Sequence, residues 1–233
     1  MKHRLFLILF HYAITISVAQ TPPEKLNLKI NSNQKPLVSI ADYDEAIKAN
    51  PKNTDYYISR ARLKGNAADF NGAIADFTKA IELYPKATAA YFDRAQCKEK
   101  LKDIKGAIAD YSIACQIEPK NYLNFYHRAY LYYETKNYKN AISDYNAVIK
   151  LMPSATAAYF NRAISKAALE DYQGAIKDYT VAIEKDPKPG MAYYNRGLLK
   201  INLKDNIGAC IDLKKSQELK YEKAAEAVLQ YCK

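Results

Sequence analysis

The amino-acid sequence predicts an all-α protein built as a stacked array of helical hairpins. Residues of one type return every 34 positions: Arg60, Arg94, Arg128, Arg162 and Arg196; Pro51, Pro85, Pro119, Pro153 and Pro187; Asp42, Asp76, Asp110, Asp144, Asp178 and Asp212. Each period holds two helical patterns, the signature of a repeat whose single unit cannot bury its own apolar face and must stack on a neighbour. Among 233 residues there are 21 Tyr, no Trp, and only 7 Gly and 9 Pro placed mostly at periodic positions, which suits helices joined by short turns. Function is therefore to be sought on a surface of the array rather than in one pocket.

Residues 1–19, MKHRLFLILFHYAITISVA, open with basic residues, continue as an apolar run, and end in Ser17-Val18-Ala19. Small residues at Ser17 and Ala19 fit a signal-peptidase site, and the run is short and interrupted for a membrane span. The expectation is a cleaved signal peptide and an exported protein, periplasmic or secreted; an uncleaved anchor is the alternative. Residues 20–37 carry adjacent prolines and no helical period, as a linker would. Residues 38–233 are the expected array. Its first helix, Ser39 to Asn50, matches only the second half of a unit and precedes five whole units, 54–87, 88–121, 122–155, 156–189 and 190–223, with a cap at 224–233.

Within each unit the first helix places a small residue (Ala61, Ala95, Ala129, Ala163 or Gly197) four after an aromatic (Tyr57, Tyr91, Phe125, Tyr159 or Tyr193), so both share one face. The second helix opens at Asp69, Asp103, Asn137, Asp171 or Asp205, residue types whose side chains accept from free N–H groups at a helix start. Four residues later stands Ala73, Ala107, Ala141, Ala175 or Ala209. Small residues on both helices allow close approach, and Phe77, Tyr111, Tyr145 and Tyr179 fill the space beside them. Proline then stops the helix, because it cannot donate the next hydrogen bond.

Only seven arginines occur, and five occupy one repeat position, whereas surface charge is supplied by Lys. Arg is the residue for holding a carboxylate two-pronged where water is scarce. With a matching Asp series, this predicts a structural ladder pairing Arg60, Arg94, Arg128, Arg162 and Arg196 with Asp76, Asp110, Asp144, Asp178 and Asp212. An anion-binding stripe is the alternative reading.

The formal charge is +10, and +8 once Lys2 and Arg4 are removed with residues 1–19. The excess is dispersed Lys with no run, as on a solvated surface; a docking face for an acidic partner is the other reading. An exported protein has little access to nucleic acid, so no such partner is expected. After residue 19 the one histidine is His127, which leaves no ligand set for a metal and no nucleophile–base set, and no Gly-rich phosphate loop exists. No cofactor and no enzymatic activity are expected. Cys97, Cys115, Cys210 and Cys232 are even in number. Cys210 in the last hairpin and Cys232 near the chain end fall at similar height if their helices are antiparallel, which allows a disulfide; four buried free thiols are the alternative.

The aromatic, small, small, aromatic and proline positions of the four units beginning at Thr54, Thr88, Tyr122 and Thr156 resemble the tetratricopeptide repeat family over residues 38 to about 223. The family usually has Leu at the five Arg positions and often Tyr where this chain has Lys64, Lys98, Lys166 and Lys200. The fifth unit departs further, with Tyr221, Leu213 and Ser216 in place of proline, aromatic and Ala. The resemblance implies a right-handed superhelical array with first helices lining the concave side, acting as a non-enzymatic scaffold for a partner protein or extended peptide. A cell-wall glycan stacked on aromatic rings is the alternative from another class, and an architectural spacer a third.

In the family, the fifth, sixth, ninth and twelfth places of each first helix form the concave wall. Here they include Phe92, Asp93, Tyr126, His127, Tyr130, Tyr133, Phe160, Asn161, Tyr194 and Asn195. Asn161 and Asn195 resemble the asparagine ladder lining the superhelix of O-linked GlcNAc transferase, which implies a grip on peptide backbone; Asp93 and His127 interrupt it. The alternative is that these aromatics pack on one another and on the next hairpin.

Overall fold

The structure, a computed structural model, describes residues 37–232; the expected signal peptide and nearly all of the linker lie outside the described residues. Those residues form twelve α-helices and no strand. They divide into two compact units, one ending at Asn124 and one beginning at Phe125.

The N-terminal unit holds α1 (Ile40–Ala49), the hairpin α2 (Thr54–Asn66) and α3 (Phe70–Leu83), and the hairpin α4 (Thr88–Lys100) and α5 (Ile104–Ile117). The C-terminal unit begins inside α6 (Tyr122–Glu134), which pairs with α7 (Tyr138–Leu151). It continues with α8 (Thr156–Ala168) and α9 (Tyr172–Lys185), α10 (Gly190–Asn202) and α11 (Asn206–Glu218), and closes on α12 (Ala224–Tyr231).

The start of α1 is closed by a capping box: the Asp42 N–H donates to Ser39 Oγ at 3.1 Å, and the Ser39 N–H donates back to the Asp42 carboxylate at 3.0 Å. Asp69, Asp103, Asp171 and Asp205 each accept from the backbone N–H of a glycine three residues on, Gly72, Gly106, Gly174 or Gly208, at 2.9–3.0 Å. A Cβ on any of these glycines would overlap the capping carboxylate. At α7 the glycine is replaced by Asn140, and Asn137 makes no capping bond. Glycine thus lets the Asp fold over the helix start, and its loss coincides with loss of the cap.

Between the two helices of every hairpin one residue takes the left-handed conformation: Ala68, Lys102, Lys136, Glu170 or Lys204, with φ of 60–64°. None is glycine. The turn is held by bonds such as Asp69 N–H to Lys64 C=O at 2.9 Å, which satisfy carbonyls left over at the helix end. At the other end of each second helix, the residue before proline (Asn50, Tyr84, Glu118, Met152 or Asp186) leaves the helical region, as a following proline ring requires. The last hairpin lacks the proline and turns instead through left-handed Lys220.

The alanines at both facing positions are fully buried, and Phe77, Tyr111, Tyr145 and Tyr179 beside them are at most 1% exposed. In the last hairpin Leu213 takes the aromatic's place and Gly197 the alanine's. A Cβ on Gly197 would meet Leu213 at 3.0 Å and the Ala209 carbonyl at 3.2 Å, so an alanine here would force a neighbour to shift. Cys210 and Cys232 form a disulfide with Cα atoms 5.4 Å apart, tying α11 to the end of the chain. Cys97 and Cys115 are buried free thiols. Among the described residues no helix is long and apolar enough to cross a membrane.

Candidate binding face of the first helices

The arginine positions face inward. In each hairpin the Arg Nε and Nη2 donate to both oxygens of the Asp sixteen residues on: Arg60 to Asp76, Arg94 to Asp110, Arg128 to Asp144, Arg162 to Asp178 and Arg196 to Asp212, at 2.5–2.8 Å. These Asp side chains are nearly sealed from water, 2–8% exposed. Four of them also take a Lys at 2.8 Å, from Lys64, Lys98, Lys166 and Lys200 on the next turn of the first helix. At the corresponding place in α6 stands Tyr132, whose ring lies 5.8 Å from the Arg128 guanidinium. The bonds to Asp76 and Asp44 push the Arg60 guanidinium further up from its already high range, against burial, and Arg196 rises for the same reason through Asp212.

The remaining arm of the fork reaches back one hairpin. Arg60 Nη1 donates to Asp44, Arg94 Nη1 to Thr78 Oγ1, Arg162 Nη1 to Asn146 Oδ1 and Arg196 Nη1 to Thr180 Oγ1, at 2.6–2.9 Å. Each guanidinium also sits 5.3–5.7 Å from the ring three residues upstream, Tyr57, Tyr91, Phe125, Tyr159 or Tyr193. In Arg60, Arg94, Arg162 and Arg196 one side chain thus joins its own hairpin to the preceding helical element. Asp42, in phase with the Asp column, serves the α1 cap, and it is Asp44 that reaches Arg60.

On the candidate face of the N-terminal unit, the Phe92 ring packs edge-on against Tyr111, centroids 5.4 Å apart. Asp93 accepts from Arg62 Nε at 2.7 Å, and burial raises its carboxyl above the usual range while Arg62 pulls it down. Glu99, not singled out from the sequence, accepts from the Tyr111 hydroxyl at 2.5 Å; burial raises it too. Burial and Asp93 together push the Cys97 thiol up to about 11, so it is inert as a nucleophile at neutral pH. Arg62, the one arginine of the described residues outside the repeat column, was also missed. Its signal was in the chain: an Arg at the ninth place of its helix opposite an Asp at the sixth place of the next.

In the C-terminal unit, Tyr126 packs edge-on against Tyr145 at 5.9 Å, and its hydroxyl accepts from Asn161 Nδ2 at 3.1 Å. Phe160 meets Tyr179 in the same way at 5.2 Å, and Tyr194 leans on Tyr221 at 5.1 Å. Tyr133 stands 5.9 Å from Tyr138. His127 lies edge-on to Tyr126, and burial lowers its imidazole to about 4, keeping it neutral. Tyr130, Tyr133, His127 and Tyr194 are partly exposed, whereas Phe160, Asn161 and Asn195 are buried at 4, 9 and 3%. The two asparagines therefore belong to the floor of this face rather than its rim. The amide of Asn161 also stands near the Tyr145 hydroxyl, and that of Asn195 near Tyr179, each easing the phenol. Neither approach reaches hydrogen-bond geometry, so Tyr145 Oη, Tyr179 Oη and Asn195 Nδ2 are left buried without a partner.

Helical hairpins of 34 residues, stapled at one repeated Arg–Asp position, define a helical-repeat protein. Residues 58–122 and 126–192 match the tetratricopeptide repeat profile, more than half of the chain, and the chain belongs to that family. No curated protein sequence matches it. Among solved structures it is similar to YrrB, described as a TPR protein with an unusual peptide-binding site, at 21% identity and TM-score 0.74 over 82% of this chain and 100% of that one. It is similar to MamA from Desulfovibrio magneticus RS-1, at 16% identity and TM-score 0.66 over 72% and 94%. A tetratricopeptide repeat protein from Parabacteroides merdae follows the same fold, at 18% identity and TM-score 0.60 over 82% and 89%.

Proposed function

We propose that this chain is an exported, non-enzymatic scaffold that holds a partner protein or extended peptide on the face of its first helices. The observation that carries the reading is the division of labour within each first helix. Its repeated Arg is spent inward on a buried Asp, joined by a Lys in four of the five helices, while the face on the other side carries aromatic and amide groups and a neutral imidazole. Family membership supports a binding scaffold, and the peptide-binding site of YrrB supports a peptide as its cargo. Export rests on the basic start, apolar run and Ser17-Val18-Ala19 of the first nineteen residues. A cell-wall glycan is the competing cargo, but stacking on sugars needs open ring faces, and Phe92, Phe160 and Tyr194 each give one side to another ring.

The test is affinity capture from periplasmic extract with the parent, Tyr130→Ala and Asn161→Ala, and with Lys177→Ala as a control away from the face. Loss of the captured protein with both face variants, and not with the control, is the expected result. Release by cell-wall fragments instead of by peptide would transfer the function to the glycan. Export is checked separately by sequencing the N-terminus of the secreted form, expected at Gln20.

A further inference from the structure

Helix α11 is apolar on two opposite sides. With 3.6 residues per turn, Ile207 and Ile211 fall across the helix from Ala209 and Leu213, which are fully buried. Ile207 is 81% exposed and Ile211 64%. In the other four hairpins the place of Ile207 is held by Asn71, Lys105, Lys139 or Gln173, and that of Ile211 by Ala75, Ala109, Ser143 or Lys177. Those residues are exposed as well, so both columns face outward in every hairpin, and only the last fills them with large aliphatic side chains. A helix that is apolar on opposite sides ordinarily has both covered, and an exposed apolar strip marks a contact.

Charge frames the pair. Lys204 stands three residues before Ile207 and Lys214 three after Ile211, and both are exposed. The acids of the same stretch are engaged elsewhere. Asp205 accepts from the Gly208 N–H at 2.9 Å, Asp212 is buried against Arg196, and Glu218 holds Lys215 at 2.9 Å. The strip is therefore aliphatic in the middle and basic at both ends.

A protein partner needs more than this. A stable protein interface buries about 800 Å² on each side and anchors on aromatic or Arg side chains set in pockets. Two isoleucines on the outer ridge of one helix supply neither. Laying them on the isoleucines of a second copy sets like charges together in either direction: Lys204 meets Lys214 of the other copy when the helices are antiparallel, and each Lys meets its own counterpart when they are parallel. A bilayer surface is fluid and requires no pocket. It takes aliphatic side chains from a ridge, and anionic lipids attract the flanking lysines, whose stems lie along the apolar boundary.

We infer that α11 rests its outer side on an anionic bilayer surface, with Ile207 and Ile211 entering the headgroup boundary and Lys204 and Lys214 meeting lipid phosphates. The contact is peripheral and reversible, since two side chains are a small anchor. It lies on a second helix, away from the first-helix face proposed to hold a partner, and neither reading depends on the other.

The chain contains no Trp, so a Trp introduced at one position reports that position alone. Ile207→Trp, and Gln173→Trp at the equivalent place of the preceding hairpin, are purified as the exported form, so that residues 1–19 do not bind lipid themselves. The probes are phosphatidylcholine vesicles with ~30% phosphatidylglycerol or with none. Emission of Ile207→Trp is expected to shift to the blue on the anionic vesicles and to be quenched by lipids brominated in the acyl chain; Gln173→Trp should do neither. Vesicle affinity should fall at least about tenfold in the double variant Ile207→Ser, Ile211→Ser. It should fall severalfold in Lys204→Gln, Lys214→Gln, and for the parent at ~0.5 M salt. Melting temperatures should hold in both double variants, because all four side chains are exposed. An unmoved Ile207→Trp emission, or a double-serine variant that binds vesicles like the parent, overturns the inference. If the parent is instead a dimer that the double-serine variant splits, the strip belongs to a second copy and the bilayer reading falls.

Discussion

Arg94 and Asp110, sixteen residues apart on the two helices of one hairpin, are joined by two hydrogen bonds of 2.8 and 2.7 Å, with Lys98 closing on the same carboxylate at 2.8 Å. The third arm of Arg94 bonds Thr78 of the preceding hairpin. One side chain thus sets both the closure of its own hairpin and the seat of the one before. Small alanines at the crossing bring the helices close enough for a planar fork to span them, and a single point charge would not hold two oxygens in register.

The ladder predicts strong coupling, and its third rung is the cleanest place to measure it. Tyr132 stands where the other rungs carry Lys, so among the described residues Arg128 is the cation that holds Asp144. Removing either partner leaves a buried charge, and Arg128→Ala or Asp144→Ala should cost about 3–5 kcal/mol. The double variant should recover a large part of that loss. Denaturation of the four proteins gives the coupling energy; additive losses would mean that the two side chains act independently.

The capping pattern predicts a gain of stability at α7. Asn137→Asp with Asn140→Gly would copy the arrangement found at α3, α5, α9 and α11 and should stabilise the chain by about 1 kcal/mol, offset in part by the freedom of glycine. The converse change, Gly106→Ala, forces a Cβ into the Asp103 carboxylate and should cost about 1–2 kcal/mol. Thermal melts check both directions; no response at either site would show that these caps do not limit stability.

The Cys210–Cys232 disulfide closes a segment of 22 residues and so restricts the unfolded chain. Loop-closure entropy puts its contribution at about 3 kcal/mol. Cys210→Ser with Cys232→Ser should lower the melting temperature and leave it insensitive to added dithiol, while the parent falls to the same value on reduction. Hydrogen exchange should place the loss in α11 and α12. A uniform loss over all helices would contradict a role confined to the chain end.

The helices, their order and their turns were legible because a period of 34 residues names a column of equivalent positions. The columns Arg94 and Asp110 belong to could be matched by count and phase alone. Contacts that fall between columns left weaker traces. The Lys98 arm stood one turn beyond Arg94 and looked like surface charge. Arg62 with Asp93, and Glu99 with Tyr111, each occur once and have no repeated partner to announce them. Periodicity also says which face a residue occupies and not how deep it lies. Asn161 and Asn195 share the face with Tyr130 and Tyr133 but sink beneath it, since their short side chains sit next to the Tyr145 and Tyr179 phenols.

The partly desolvated imidazole of His127 predicts a specific acid sensitivity. Burial lowers it from 6.5 to about 4 in the folded chain. Between those values the unfolded chain binds a proton that the folded chain refuses, so stability rises with pH across this window. The contribution is complete above about pH 6.5, and acidification to pH 4 should remove about 3 kcal/mol. Asp93 and Glu99 act in the opposite sense, since burial raises both carboxyls and their protonation favours the fold. A melt of the parent alone therefore mixes these effects. Comparison with His127→Gln at each pH cancels the carboxyl contributions and isolates the imidazole. The parent should lose stability relative to the variant as pH falls from 6.5 toward 4, with the two curves parallel above pH 7. Parallel curves throughout would mean that His127 takes its proton in the fold as readily as in the unfolded chain.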